Sequence, residues 1–159
     1  MELTVGQALQ KGDDAYRAGR SEEAGVLYAS ILDVDPNHHA ANHSMGVVAF
    51  GTGKMHEALP YFKIASEINP SIAEYWISYI TTLINLGKLI DAGSVLVQAK
   101  KQDLNSKVLD QLGKQLAAQG LRPIETISDG LEESNSSKPN ILNTTKLDNA
   151  LRLAARKFK

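Results

Sequence analysis

The segment GTGKMHEALPYFKIASEINP, residues 51–70, repeats the pattern of RAGRSEEAGVLYASILDVDP, residues 17–36, and both segments end in proline. The two prolines, Pro36 and Pro70, are 34 residues apart. When the copies are aligned, three further columns of equivalent positions recur at this spacing in three copies. They hold a glycine, an alanine and a bulky apolar residue: Gly19, Gly53 and Gly87; Ala24, Ala58 and Ala92; Tyr28, Phe62 and Leu96. Agreement at so many columns predicts an internal repeat of 34 residues.

The residue types in each copy predict a pair of helices joined by a short turn. The glycine column suits the left-handed residue that ends a first helix. The alanine column suits a second helix that approaches the first closely. The residue before Pro36 or Pro70 is pushed out of helical conformation, so the second helix should end there. Asn37 and Ser71 follow as the expected N-caps of the next helices.

On these residues the chain resembles the tetratricopeptide-repeat family, whose period is 34 residues. The second copy matches the family pattern best, through Gly46, Ala49, Gly53, Ala58, Phe62, Ala65 and Pro70. The resemblance implies an all-α fold, a right-handed superhelix of antiparallel helix pairs. We expect an array over 1–120, made of three repeats and a following helix: 5–38, 39–72, 73–106 and 106–120.

The third copy keeps the early tryptophan of the family as Trp76 but departs from the pattern twice. Leu104 stands in place of the proline, and Ile80 stands where the other two copies have glycine. These departures put its last turn in question, but not its existence. The helix over 106–120 is either a capping helix or the start of a degenerate fourth copy.

Composition and charge exclude several classes of protein. The 159 residues are 43% apolar and 22% charged, with a formal net charge of -1, which gives no global field that favours nucleic acid. Cysteine is absent, so disulfides and thiolate chemistry are excluded. We recognise no signal peptide and no apolar stretch long enough for a membrane span. We expect a cytoplasmic protein with neither nucleic-acid nor membrane partners.

The chain after the array has a different composition. Residues 121–145 are rich in Pro, Ser, Asn and acidic side chains, which predicts a mobile linker. Residues 146–159 predict a basic amphipathic helix. This last helix resembles the first helix of a repeat, so one hypothesis is that the chain is a fragment cut inside a further repeat block. The alternative is a native C-terminal helix that folds back.

The resemblance implies a concave groove lined by the first helix of every repeat. At the repeat positions that line the groove in this family, the present chain has Leu9, Asp13, Tyr16, Arg17, His43, Val47, Phe50, Glu74, Ile77, Thr81, Ile84 and Asn85. A different stripe should face the core: Ala8, Gly12 and Ala15; Met45, Gly46 and Ala49; Trp76, Tyr79 and Leu83. The apolar groove residues have no partner in the three copies, which predicts a protein or peptide ligand, an apolar segment or an amphipathic helix. The alternative is that the C-terminal tail or the helix over 106–120 covers them.

Some members of the family hold a C-terminal carboxylate with Lys, Asn and Arg in this groove. Here the corresponding positions carry Leu9, Asp13, Ser44, Glu74 and Ser78. This carboxylate clamp is therefore absent, and Glu74 would repel an anionic terminus. An adaptor for chaperone tails is disfavoured.

Catalytic and metal chemistry is not indicated. His39 and His43 share a helix face, but no HExxH motif or third ligand accompanies them. The GTGK segment, residues 51–54, lacks the full phosphate-loop pattern and lies between predicted helices. We expect no cofactor, no metal and no enzymatic activity.

The favoured function is a non-catalytic scaffold that binds a protein or peptide in the concave groove. One alternative is the N-terminal, substrate-recruiting region of a larger enzyme of glycosyltransferase, sulfotransferase or methyltransferase type. Another is self-association through residues 146–159. Residues 1–36 carry three basic and seven acidic side chains, whereas 146–159 carry five basic and one acidic, so these two segments could attract each other.

Overall fold

The computed structural model describes residues 3–104 and 106–120, which form seven α-helices and no strand. In chain order these helices are α1 Val5–Arg17, α2 Ser21–Val34, α3 His39–Gly51, α4 Met55–Ile68, α5 Ala73–Asn85, α6 Leu89–Lys100 and α7 Lys107–Ala118. The first residues of α1, α3, α5 and α7 are spaced by the 34-residue period. The predicted linker 121–145 and the predicted helix 146–159 lie outside the described residues.

Consecutive helices pack against each other along the whole described part of the chain. The first helices of neighbouring repeats also touch, through the pairs α1–α3, α3–α5 and α5–α7. Because the connections are short, consecutive helices run antiparallel. The predicted all-α repeat fold is confirmed.

The turn inside each repeat is built by a glycine, as predicted. Gly19, Gly53 and Gly87 have φ angles of +77°, +80° and +70°. In the first repeat the N–H of Gly19 donates to the Tyr16 carbonyl and the N–H of Arg20 donates to the Ala15 carbonyl, each at 2.9 Å. The same pair of bonds recurs in the next two repeats. This Schellman motif satisfies carbonyls that the helix end would leave unpaired.

The residue on the second helix of each repeat explains why Gly46 of the second repeat is replaced by Ile80 in the third. A Cβ at Gly46 would lie 2.6 Å from Cε1 of Phe62, so the aromatic ring of α4 needs a glycine opposite it on α3. In the third repeat the ring is replaced by Leu96, and both Ile80 and Leu96 are fully buried in one cluster. The two substitutions compensate each other in volume, which keeps the core close-packed.

The turns that link one repeat to the next differ from the sequence expectation. His38, not Asn37, caps α3, and its Nδ1 accepts the N–H of Ala41 at 3.1 Å. Ile72, not Ser71, is the N-cap residue of α5, and no side-chain bond caps that helix. The N-cap predictions were wrong because an aspartate or asparagine precedes each proline and bonds the residue two positions later, which lengthens the turn by one residue.

A polar side chain ties each of these turns to the following helix. The amide nitrogen of Asn42 donates to the Pro36 carbonyl at 2.9 Å, and Nε1 of Trp76 donates to the Pro70 carbonyl at 2.9 Å. Asn42 and Trp76 occupy the same repeat column. Two unrelated residue types therefore perform one structural task, since both place an N–H at the same point of the helix.

The predicted core stripe is buried except at one column. Met45 and Tyr79 are half-buried rather than buried. Met45 packs against the core cluster of the first repeat, and Tyr79 packs against that of the second. Their column therefore lies at the seam with the preceding repeat, where neighbouring first helices leave part of each side chain in contact with solvent.

Helix α7 packs on the third repeat through one face and is polar on another. Leu109, Leu112 and Leu116 are buried in the cluster of the third repeat. Asp110 and Lys114 are exposed and occupy the columns that bury Trp76 and Ile80 in α5. Among the described residues, no helix combines the length and the apolar character needed to cross a membrane.

Candidate functional site

A cavity of about 270 Å³ opens on the face formed by the first helices. Its walls come from α1, α3 and α5, and α4 contributes one ring. The lining residues are Tyr16, Val47, Phe50, Phe62, Ile77, Ser78, Thr81 and Thr82. We call this cavity the groove pocket. Three repeats contribute to it, so it exists only when the repeats are stacked.

Five of the predicted groove residues line the groove pocket: Tyr16, Val47, Phe50, Ile77 and Thr81. All five are half-buried, so each packs on one side and contributes surface on the other. The hydroxyl of Tyr16 would lie only 3.1 Å from a Cβ at Gly51. The glycine at the end of α3 therefore leaves space for the tyrosine that forms the α1 wall.

Two lining residues, Phe62 and Thr82, were missed by the sequence reasoning, and Ser78 was considered only as a position of the absent carboxylate clamp. Phe62 belongs to the second helix of its repeat and is only 2% exposed, yet its ring lies 5.5 Å from that of His43. It reaches this side because Gly46 has no side chain to block it. Gly46 was the sequence signal that could have predicted the position of the Phe62 ring. A glycine in the middle of a helix, opposite an aromatic residue of the next helix, leaves space for that ring to pass across the helix.

The polar edge of the groove pocket is formed by Ser78 and its partner His43, and a second pair, His39 and Tyr75, bridges α3 and α5 nearer the start of both helices. Nε2 of His43 lies 3.0 Å from Oγ of Ser78, and Nδ1 of His39 lies 2.9 Å from the hydroxyl of Tyr75. The rings of His43 and Tyr75 are 4.7 Å apart. Burial lowers the pKa of His43, and the nearby Glu74 carboxylate opposes this effect. Burial also raises the pKa of Tyr75, with a smaller contribution from Glu74.

Asp13 and Arg17 are charged groove residues with partners inside the protein. Asp13 accepts a hydrogen bond of 2.7 Å from the hydroxyl of Tyr28, and burial together with this carboxylate raises the pKa of Tyr28 well above its usual range. Arg17 pairs with Asp14 at 3.2 Å, and this ion pair is exposed.

The other predicted groove residues lie away from the cavity wall. Leu9 packs on the core clusters of the first repeat, and Ile84 packs on that of the third. Glu74 and Asn85 are exposed at the two ends of α5. Seven predicted groove residues, including His43 at the polar edge, therefore do not line the groove pocket itself.

No group of three histidine or carboxylate side chains is arranged to hold a metal ion within residues 3–104 and 106–120. Each of His38, His39 and His43 instead has a structural hydrogen bond, at a helix start or across the α3–α5 seam. The GTGK segment forms the turn of the second repeat, with Gly53 in the left-handed conformation.

Comparison with known proteins identifies the fold. No family model and no curated protein matches the sequence. Solved structures do match. The TPR2B domain of yeast Sti1, in complex with pHsp70, is 17% identical with a TM-score of 0.66, over 72% of this chain and 97% of that one.

Two further structures come from other organisms. The Sgt2 TPR domain of Aspergillus fumigatus is 13% identical with a TM-score of 0.65, over 89% of this chain and 93% of that one. The type III secretion chaperone SycD of Yersinia enterocolitica, in complex with a peptide of the translocator YopD, is 16% identical with a TM-score of 0.62, over 74% of this chain and 90% of that one. At these identities the likeness concerns the fold, and the chain has the fold of tetratricopeptide-repeat proteins, as its 34-residue period predicted.

Proposed function

We propose that this protein is a peptide-binding module that takes an apolar side chain of its ligand into the groove pocket. The observation that carries the proposal is the convergence of apolar side chains from three repeats on one open cavity. Half-buried apolar residues that line a concave surface are typical of interaction sites.

The size of the groove pocket favours a side chain over a whole small molecule. Its volume of about 270 Å³ lies just below the range of roughly 300 to 1,000 Å³ that is usual for small-molecule sites. The polar groups at its edge, Ser78 and Thr81, could orient a peptide backbone. A peptide that runs along the first helices would thus be held by one anchor and a few hydrogen bonds.

Structural neighbours support the binding of a peptide or protein in general. Two of them are complexes, one with pHsp70 and one with a YopD peptide. The ligands of this chain need not be the same, because the groove residues are its own. We also propose that it acts in the cytoplasm, in keeping with its lack of cysteine.

We propose that the chain is not itself an enzyme, although His43 and Ser78 form a hydrogen-bonded pair beside the groove pocket. A serine nucleophile needs backbone donors for the oxyanion and a third group that orients the histidine. Ser78 lies inside α5, where backbone N–H groups are used by the helix. Within the described residues, no carboxylate bonds the other nitrogen of His43.

Selection from random peptides displayed on phage tests the proposal. Peptides enriched on the full chain should share an apolar anchor and should bind in solution as synthetic peptides. The substitution Ile77→Glu places a charge in the wall of the groove pocket and should abolish binding. Ile90→Glu is the matched control, because Ile90 is 72% exposed on α6 and should tolerate the change.

Unfolding curves of both variants show whether Ile77→Glu still folds. Should it not fold, Ser78→Phe provides a second obstruction of the same cavity. If no peptide is enriched, or if the enriched peptides bind both obstructed variants as well as the wild type, the proposal is wrong.

Self-association remains a second proposal, supported by the basic residues in 146–159 and the acidic residues in 1–36. Light scattering on the full chain and on a chain that ends at residue 145 tests it. A dimer that becomes a monomer on shortening would favour this proposal, and equal monomeric masses would exclude it. A role as the recruiting region of a larger enzyme is a third proposal, tested by the coding sequence that follows Lys159.

A further inference from the structure

Glu74 is the charged residue of α5, and it lies one helical turn before the residues of α5 that line the groove pocket. It lies in the first turn of this helix, and Ile77 and Ser78 of the pocket wall follow three and four residues later. Residues at these spacings share one face of a helix. The Glu74 side chain is exposed, so its carboxylate is open to a ligand that lies along that face.

Glu74 differs from Asp13 and Arg17, the other charged groove residues, because both of these have partners in the protein. The Asp13 carboxylate accepts the Tyr28 hydroxyl, and Arg17 pairs with Asp14. Within residues 3–104 and 106–120, Glu74 forms no ion pair. Glu74 also lies close enough to His43, the partner of Ser78, to oppose the lowering of the His43 pKa by burial.

We propose that the ligand of the groove pocket is a basic apolar peptide, in which a lysine or arginine beside the apolar anchor lies against Glu74. This inference rests on the proposed function and adds to it the chemical class of the ligand. Charge complementarity at a groove edge contributes more to selectivity than to affinity, because it also rejects ligands of the wrong sign.

The spacing along α5 sets the spacing expected in the peptide. Three to four residues of helix advance by about 4.5 to 6 Å. An extended peptide advances by about 3.3 Å per residue. The cation should therefore be one or two residues from the anchor, and a longer lysine or arginine side chain can bridge the remaining distance.

The same geometry disfavours acidic ligands. A carboxylate of the peptide at this place would meet Glu74 with no cation of the groove left to balance it, because Arg17 is paired and belongs to a different repeat. Glu74 should attract a lysine of the peptide and repel a glutamate, so peptides that differ only at this position should differ in affinity.

Fluorescein-labelled synthetic peptides test the inference on the full chain. All share a Gly/Ser background with a central Phe, and the residues two positions to either side are Lys, Gln or Glu. A fourth peptide carries Lys but has Ser in place of Phe. We expect the Lys peptide to bind about three- to tenfold more tightly than the Glu peptide at low salt. The Gln peptide should lie between them, and the Ser peptide should not bind.

The variant Glu74→Gln should remove the preference for Lys without removing binding of the Phe peptides. Glu22→Gln is the matched control, because Glu22 is an exposed glutamate in the first turn of α2, away from the groove pocket. High salt should weaken the preference, since the charges are exposed.

The outcomes separate this inference from the proposed function. Equal binding of the three Phe peptides, or a Lys preference that survives Glu74→Gln, overturns the inference and leaves peptide binding intact. Failure of every Phe peptide to bind overturns both. Binding of the Ser peptide as tightly as the Lys–Phe peptide shows charge attraction without an anchor, which also contradicts both.

Discussion

Nε2 of His43 and Oγ of Ser78 lie 3.0 Å apart, and this hydrogen bond joins the first helices of the second and third repeats at the edge of the groove pocket. The two residues are 35 positions apart in the chain. His43 is half-buried and also packs against the rings of Tyr75 and Phe62. The seam between these repeats therefore depends on an imidazole that burial disfavours in its charged form.

The first prediction concerns pH. Burial lowers the pKa of His43 in the folded protein, so the unfolded chain binds the proton more readily. The stability that neutral His43 contributes is therefore present above the unfolded pKa of about 6.5 and is lost as the pH falls below it. Urea unfolding at several pH values should show this loss, and His43→Gln should reduce its slope.

His56 provides the control for the pH prediction. It is exposed in the first turn of α4, so His56→Gln should leave the pH dependence of the unfolding midpoint unchanged. The same slope in wild type and in His43→Gln would show that His43 does not control it.

The second prediction compares two glycines inside helices. Gly46→Ala places a Cβ 2.6 Å from the Phe62 ring and should destabilise the protein by about 1 to 3 kcal/mol. Gly93→Ala, in α6, meets nothing within 4 Å and should stabilise by roughly 0.5 to 1 kcal/mol, because alanine has the higher helix propensity. Denaturant unfolding measures both changes.

The third repeat suggests how the cost of Gly46→Ala can be relieved. Its Ile80 faces Leu96 rather than an aromatic ring. Phe62→Leu in the Gly46→Ala background should therefore cost less than Phe62→Leu alone. Additive effects in this double-mutant cycle would contradict the steric explanation.

The third prediction concerns the turn before α3. Asn42 is 1% exposed, and its amide nitrogen donates to the carbonyls of Pro36 and His38. Asn42→Leu should lower the free energy of unfolding by about 1 to 3 kcal/mol, because a carbonyl that loses its donor away from water is left unsatisfied. Gln98→Leu, at an exposed position of α6, should change it by less than about 0.5 kcal/mol. Equal effects of the two substitutions in thermal unfolding would argue against a structural role for Asn42.

The fourth prediction concerns occupation of the groove pocket. Thr81→Phe should fill the cavity with a ring of the protein itself and lower the affinity for the enriched peptides at least about tenfold. Fluorescence anisotropy measures the affinity. Ser94→Phe adds the same ring on the exposed surface of α6 and should leave it unchanged. Unaltered binding by Thr81→Phe would place the peptide site elsewhere.

Much of the fold was predictable because the forces that set it act within one repeat. The positive φ of Gly19, Gly53 and Gly87 and the burial of the alanine column follow from local backbone preference and from close helix packing. The N-caps were the exception, since the N–H of Asn37 and the hydroxyl of Ser71 are engaged in turns that start two residues earlier, at Asp35 and Asn69.

The period, the helix pairs, their glycine turns and the small residues between them follow from the amino-acid sequence alone, because each of these needs only neighbours a few residues away. Tertiary packing established which groove residues meet. It brought Phe62 through the gap at Gly46, engaged Asp13 with Tyr28 and, among the described residues, gave Glu74 no ion-pair partner. Such relations depend on the rotation of each helix and on the rotamers of residues in different helices, which a repeat pattern along the chain does not specify.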